Sequence, residues 1–88
     1  MEFEYDPNKS ATNKAKHGVD FEEAQALWEG PVLTVRLNYD AEPRFAAIGM
    51  LLGKHWTAIV THRGGRVRLI SVRRSHPKEE GAYDEAVR

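Results

Sequence analysis

The hydrophobic pattern of this 88-residue chain changes period several times, and each change marks an element. Residues 2–5, Glu-Phe-Glu-Tyr, alternate charged and aromatic side chains as a short strand does. Asp6-Pro7 then predicts a helix, with Asp6 as N-cap and Pro7 where a missing N–H costs nothing. That helix is expected to run to Lys16 or His17 and to leave through Gly18. Its apolar side is thin, chiefly Ala11 and Ala15. A second helix is expected from Asp20, with Glu23 completing a capping box and Val19 and Ala24 forming a hydrophobic staple. Phe21, Ala24, Leu27 and Trp28 follow at helical spacing and face the core, and Gly30-Pro31 stops the run.

Four strand patterns come next, at 32–37, 44–52, 55–62 and 66–74. A polar loop over 38–43 separates the first two. Gly53-Lys54 and Arg63-Gly64-Gly65 read as hairpin turns, so pairing is expected to be mostly antiparallel. Ser75 or His76 is placed to cap a short last helix, with Pro77 near its start, Gly81 weakening its middle, and Tyr83 and Val87 anchoring it. The order β-α-α-β-β-β-β-α makes an α+β domain spanning 1–88: a small, mostly antiparallel sheet with two N-terminal helices on one face and a short C-terminal helix.

Composition narrows the class. The chain is 41% hydrophobic and 30% charged, as in soluble globular domains. It contains no cysteine, which removes disulfides and thiolate metal sites and is compatible with a reducing cytosol. No run reaches the apolar length of a membrane span, and the acidic start MEFEYDP lacks the apolar region of a secretory signal. A cytoplasmic location is the expectation.

The formal net charge is zero, but the charges are segregated. Lys9, Lys14 and Lys16 form one basic block. Asp20, Glu22, Glu23 and Glu29 form an acidic one. Arg63, Arg66, Arg68, Arg73, Arg74 and Lys78 are basic again, and Glu79, Glu80, Asp84 and Glu85 close the chain as acids. Helix dipoles explain part of this, since cations suit the C-terminus of the first helix and acids the N-terminus of the second. They do not explain Lys9, nor the arginines of the last strand. Strict alternation there puts Arg66, Arg68, Ile70, Val72 and Arg74 on one face and Val67, Leu69, Ser71 and Arg73 on the other, the pattern of a central strand. At least one arginine is expected to pair with an acid of the following helix. The four histidines have no metal-ligand spacing, and Ser71 and Ser75 have no nucleophile context.

The run FEYDPNKSATNKAKHGVDFEEA, the segment EPRFAAIGMLL, and RVRLISVRRS followed by a tyrosine together resemble the BrnT family of type II toxins, which are similar in fold to RelE-type ribonucleases. The matching positions are Phe3, Asp6, Pro7, Lys9, Asn13, Lys16, His17, Gly18, Phe21, Glu22, Glu23 and Ala24, then Arg44-Phe45 and Ile48-Gly49, then Arg68 through Arg74. After the double arginine the chain departs from the family pattern, being acidic and holding Pro77 and Gly81.

The resemblance implies RNA cleavage that inhibits translation, without metal or cofactor, and neutralisation by a BrnA-type antitoxin. It implies contact with DNA only through that antitoxin, no membrane partner, and room for a higher-order toxin–antitoxin complex. The site residues it suggests are Lys9, Arg68 and Arg73 at the phosphate and transition state, with Arg44 and Arg74 in support. His17, His62 and Tyr83 are candidates for proton transfer or base stacking. The expected arrangement brings Lys9 and the Lys16-His17 turn next to the arginines of the last strand. The alternative is a catalytically weak module that binds a partner protein or nucleic acid without cutting it.

Overall fold

A computed structural model describes residues 1–37 and 41–88. The elements are β1 (Glu2–Glu4), α1 (Pro7–His17), α2 (Phe21–Ala24) running on into a 3-10 turn (Gln25–Glu29), β2 (Leu33–Leu37), β3 (Arg44–Leu51), β4 (Lys54–Arg63), β5 (Arg66–Arg74) and α3 (Pro77–Ala86). The expected loop over 38–43 lies partly outside the described residues. The five strands form one sheet in the order β1-β5-β4-β3-β2. Only β1 runs parallel to its neighbour; the other pairings are antiparallel.

Both N-terminal helices start as the sequence dictates. The Asp6 carboxylate accepts from the Asn8 N–H at 2.8 Å, and Asp20 and Glu23 form the reciprocal capping box. The second helix is shorter than its periodicity suggests and tightens to 3-10 geometry. Phe21, Ala24 and Leu27 are spaced by three, which a 3-10 turn stacks in one row, and all three are buried. Together with Val19 they pack on Ala47, Ala58, Val60, Val67, Leu69 and Val72 of one sheet face.

The opposite face is covered in part by α3, whose Glu79 reaches Thr57 and whose Tyr83 is buried. The molecule is therefore layered, with two helices below the sheet and one above. Tyr83 anchors α3 by donating to the Pro31 carbonyl at 3.0 Å. Val87, expected as a second anchor, is 42% exposed: it caps the end of the helix through its N–H to the Tyr83 carbonyl, and its side chain is not buried.

Two details of the sequence reading change. The first hairpin turn is Leu52-Gly53 rather than Gly53-Lys54, since Lys54 already pairs with Leu51 and both turn residues have positive φ, 53° and 74°. Two left-handed residues suit the twist of a two-residue hairpin. The second change concerns β5. Val60 pairs with Leu69 and Ile59 with Ser71, so Ile70 is an extra residue, a β-bulge. Side-chain alternation reverses across it. Arg68, Ser71 and Arg73 lie opposite Thr61, Ile59 and Thr57, alternate residues of β4 that share a face. The expected separation of Arg68 from Arg73 is thus corrected: both point to the α3 side, while Val67, Leu69, Val72 and Arg74 point to the side of α1 and α2.

Candidate nucleic-acid interface

β1 pairs with β5 only as far as Arg68. Beyond it, β5 has no strand on that side, and α1 takes the place of one. The Asn13 side chain, 6% exposed, accepts from the Val72 N–H at 3.0 Å and donates to the Val72 and Val19 carbonyls at 2.9 and 2.7 Å. One amide thus satisfies the open strand edge just past the bulge and fixes α1 beside it. The Ser10 hydroxyl, also buried, accepts from the Phe21 N–H and ties α1 to α2.

A cleft of about 220 Å³ opens between α1 and the bulge. Lys9, Thr12, Lys16 and His17 form its helical wall, and Ile70 and Ser71 its floor, with no carboxylate among its lining residues. Of the α1 lysines, Lys14 faces the other way and pairs with Glu23 at 2.8 Å, which raises the lysine's pKa and lowers the carboxylate's. Lys9 and Lys16 make no ion pair among the described residues. The segregated charges of the sequence thus divide here: one lysine joins the acidic block, and two remain over β5.

The arginines are placed differently from the expectation of one open basic patch. Arg68 donates through Nη1 to Glu4 at 2.8 Å, which the parallel pairing of β1 brings alongside. Arg73 is more fully engaged. Its two terminal nitrogens reach the two Glu79 oxygens at 2.8 and 2.9 Å, and Nη1 also reaches the Arg74 carbonyl. This fork, with help from the His76 backbone N–H and the Thr57 hydroxyl, holds the Glu79 carboxyl down at about 2 against burial. The expected pairing of at least one arginine with the last helix is this contact.

Arg74 lies over the Trp56 ring, 5.5 Å from its centroid, and donates to the His55 carbonyl at 3.1 Å. Arg44 stands at the start of β3 opposite Leu37, two strands away from β5. His62 packs its ring edge on Phe45 near the far end of β4. Tyr83 is 4% exposed with its hydroxyl committed to Pro31, so no ring face is open to a base. The residues that come together are therefore Lys9, Lys16, His17 and Ser71. Arg68 and Arg73 flank Ser71 on the opposite sheet face, so the cleft and the arginine row meet at that serine. Sequence reading passed over Thr12 and over Ser71 as a wall of this cleft. The signal for Ser71 is the bulge, which hydrophobic alternation registers only as the two apolar residues Leu69 and Ile70 side by side.

Among the described residues no three His, Asp or Glu side chains gather as a metal site would require. Among these residues, too, no helix is long and apolar enough to cross a membrane.

A mixed five-stranded sheet with two helices on one face and a third helix on the other is the small α+β architecture of the RelE-like class. The chain belongs to the BrnT family: the model for the ribonuclease toxin BrnT of type II toxin–antitoxin systems matches residues 5–79. It is accordingly a ribonuclease toxin whose substrate is RNA and whose partner is an antitoxin. No individual curated protein matches the sequence.

Proposed function

We propose that the chain cuts RNA without a metal ion, at the cleft between α1 and the β5 bulge. The observation that carries this reading is that Lys9, Lys16 and His17 line one cleft over the Ile70-Ser71 bulge with no acid in the lining. RNA carries its own nucleophile. The 2′-hydroxyl attacks the adjoining phosphorus, the bond to the 5′-oxygen breaks, and a 2′,3′-cyclic phosphate remains. His17 takes the hydroxyl proton, since an imidazole can accept and donate near neutral pH. A lysine ammonium of the cleft returns a proton to the leaving 5′-oxygen. Lys9 and Lys16 offset the negative charge that builds on the phosphoryl oxygens.

Arg68 spends one nitrogen on Glu4 and keeps the rest of its donors for a phosphate approaching past Ser71. Arg73 contributes by field and, on exchange of Glu79 for phosphate, by contact. Arg44, Arg74 and His62 lie outside this centre, where they bear on the RNA strand beyond the cut. A BrnA-type antitoxin neutralises the chain by covering the cleft, and the pair represses its own promoter through the antitoxin. The site of action is the cytoplasm.

Expression of the chain alone tests this reading against Lys9→Ala/Lys16→Ala and Arg68→Ala/Arg73→Ala variants. Growth arrest with cut RNA by the parent, and relief in the variants, is the expected result. Absence of both effects from the folded parent contradicts it. One observation favours a second reading, a binder of RNA that cuts weakly: the Arg73 fork is already filled by Glu79. Salt-sensitive RNA binding without product strands selects that reading.

A further inference from the structure

A second cleft, of about 360 Å³, lies between the C-terminal end of α1 and the turn that joins β3 to β4. Its walls include His17, Leu51, Leu52, Lys54, Trp56 and Arg74, and it contains no acid. His17 also lines the Lys9 cleft, so the two are contiguous through one side chain.

Two independent features of this cleft are costly to the fold alone. Trp56 is 6% exposed, and its indole N–H has no hydrogen-bond acceptor among the described residues. A buried donor left unmade is rare in native proteins and calls for an explanation. Leu52 adopts φ 53°, a left-handed conformation that a branched apolar side chain seldom takes, and it is 88% exposed. A hairpin turn optimised for folding carries glycine, asparagine or aspartate there. Strain and exposed apolar surface together at one turn point outward, to something the turn meets.

Arg74 supplies the third element. Its guanidinium carbon lies 5.5 Å over the indole, and although one terminal nitrogen stands 4.0 Å from Glu80 the side chain stays about half exposed, so the cleft presents a cation over an aromatic ring. Single-stranded RNA is recognised by this combination, with unstacked bases lying on aromatic rings and guanidinium planes beside cations for the phosphates. A protein side chain would fit the apolar wall as well, but the basic lining of Lys54, Arg74 and His17, which holds no acid although Arg74 also meets Glu80 at 4.0 Å, and the continuity with the Lys9 cleft favour RNA.

We propose that this second cleft is a nucleobase subsite, taking one unstacked base of single-stranded RNA whose neighbouring phosphate lies against Lys9 and Lys16. The base lies on the outer face of Arg74 and is held in by Leu52. The proposal rests on the reading of the Lys9 cleft as the RNA interface.

Binding of an uncleavable 2′-O-methyl RNA tetranucleotide, compared with the same backbone carrying no bases, tests it. The parent chain is expected to hold the base-bearing strand about tenfold tighter, the scale of one stacked base. Leu52→Gly suits the left-handed turn and keeps the fold, while Arg74→Lys keeps the charge and loses the plane. Each is expected to reduce the ratio to about twofold. Equal affinity of the parent for both strands overturns the subsite and leaves the cleft to a protein side chain. So does an undiminished ratio in both variants. Failure of the parent to bind either strand contradicts the RNA interface itself.

Discussion

The Asn13 amide closes on the Val72 backbone from both sides, accepting from its N–H at 3.0 Å and donating to its carbonyl at 2.9 Å. The bonds join residues 59 positions apart and set α1 at the height of the β5 bulge. Through them, a strand edge that would otherwise be open becomes one wall of a cationic cleft. Asn13→Ala removes the side chain that serves both groups and leaves them, among the described residues, buried without partners. The expected cost is about 3 kcal/mol, read from urea denaturation. Asn13→Asp retains an acceptor for the Val72 N–H but loses the donor, and it too is expected to be destabilising.

Lys9 and Lys16 are exposed and unpaired among the described residues, so the fold does not depend on them. Lys9→Ala/Lys16→Ala is expected to change stability by less than about 0.5 kcal/mol. Its effect falls on RNA. Removing one phosphate-binding cation lowers the slope of log affinity against log salt by about 0.7 for a single strand, so the double variant flattens it by about 1.4. Lys14→Ala, which removes the partner of Glu23, is expected to leave the slope unchanged. A salt titration of RNA affinity for the three proteins separates these outcomes.

Glu79 gives the fold an acid-sensitive joint. Its carboxyl is depressed from 4.5 to about 2 by the Arg73 fork. A carboxylate whose folded pKa lies below its unfolded one stabilises the fold at higher pH, and that contribution fades as pH falls from about 4.5 to about 2. Stability between those values is therefore expected to decline more steeply for the parent than for Glu79→Gln, as followed by the urea midpoint at each pH. Arg73→Ala removes the largest part of the same pH dependence, leaving that due to the His76 N–H and the Thr57 hydroxyl, and a double-mutant cycle on Arg73 and Glu79 is expected to show a coupling of about 1–2 kcal/mol.

Much of this architecture was legible in the sequence because it is local. The Asp6-Pro7 start of α1, the Asp20–Glu23 capping box and the buried row of Phe21, Ala24 and Leu27 depend on neighbours within a few positions. The bulge was not, because Ile70 breaks the alternation by a single apolar residue in an apolar run, and that signature is ambiguous. The error carried to the arginines, since reversing the phase after Ile70 moves Arg73 onto the face of Arg68. The Glu4–Arg68 pair could not be read either: the two are 64 residues apart, and only the parallel register of β1 unites them. The Arg73–Glu79 pair was foreseeable, six residues apart across the turn into α3. The lysine cleft was half legible: the Lys9 and Lys16-His17 cluster stood out as charge, while its floor on Ser71 needed the fold.

The end groups of RNA cut by the purified chain in the presence of a metal chelator test the central claim most directly. Attack by the 2′-hydroxyl in the α1–β5 cleft predicts 2′,3′-cyclic phosphate and 5′-hydroxyl termini, with a rate at least about a hundredfold lower in Lys9→Ala/Lys16→Ala. Products ending in 3′-hydroxyl and 5′-phosphate, or a double variant that cuts as fast as the parent, would contradict it.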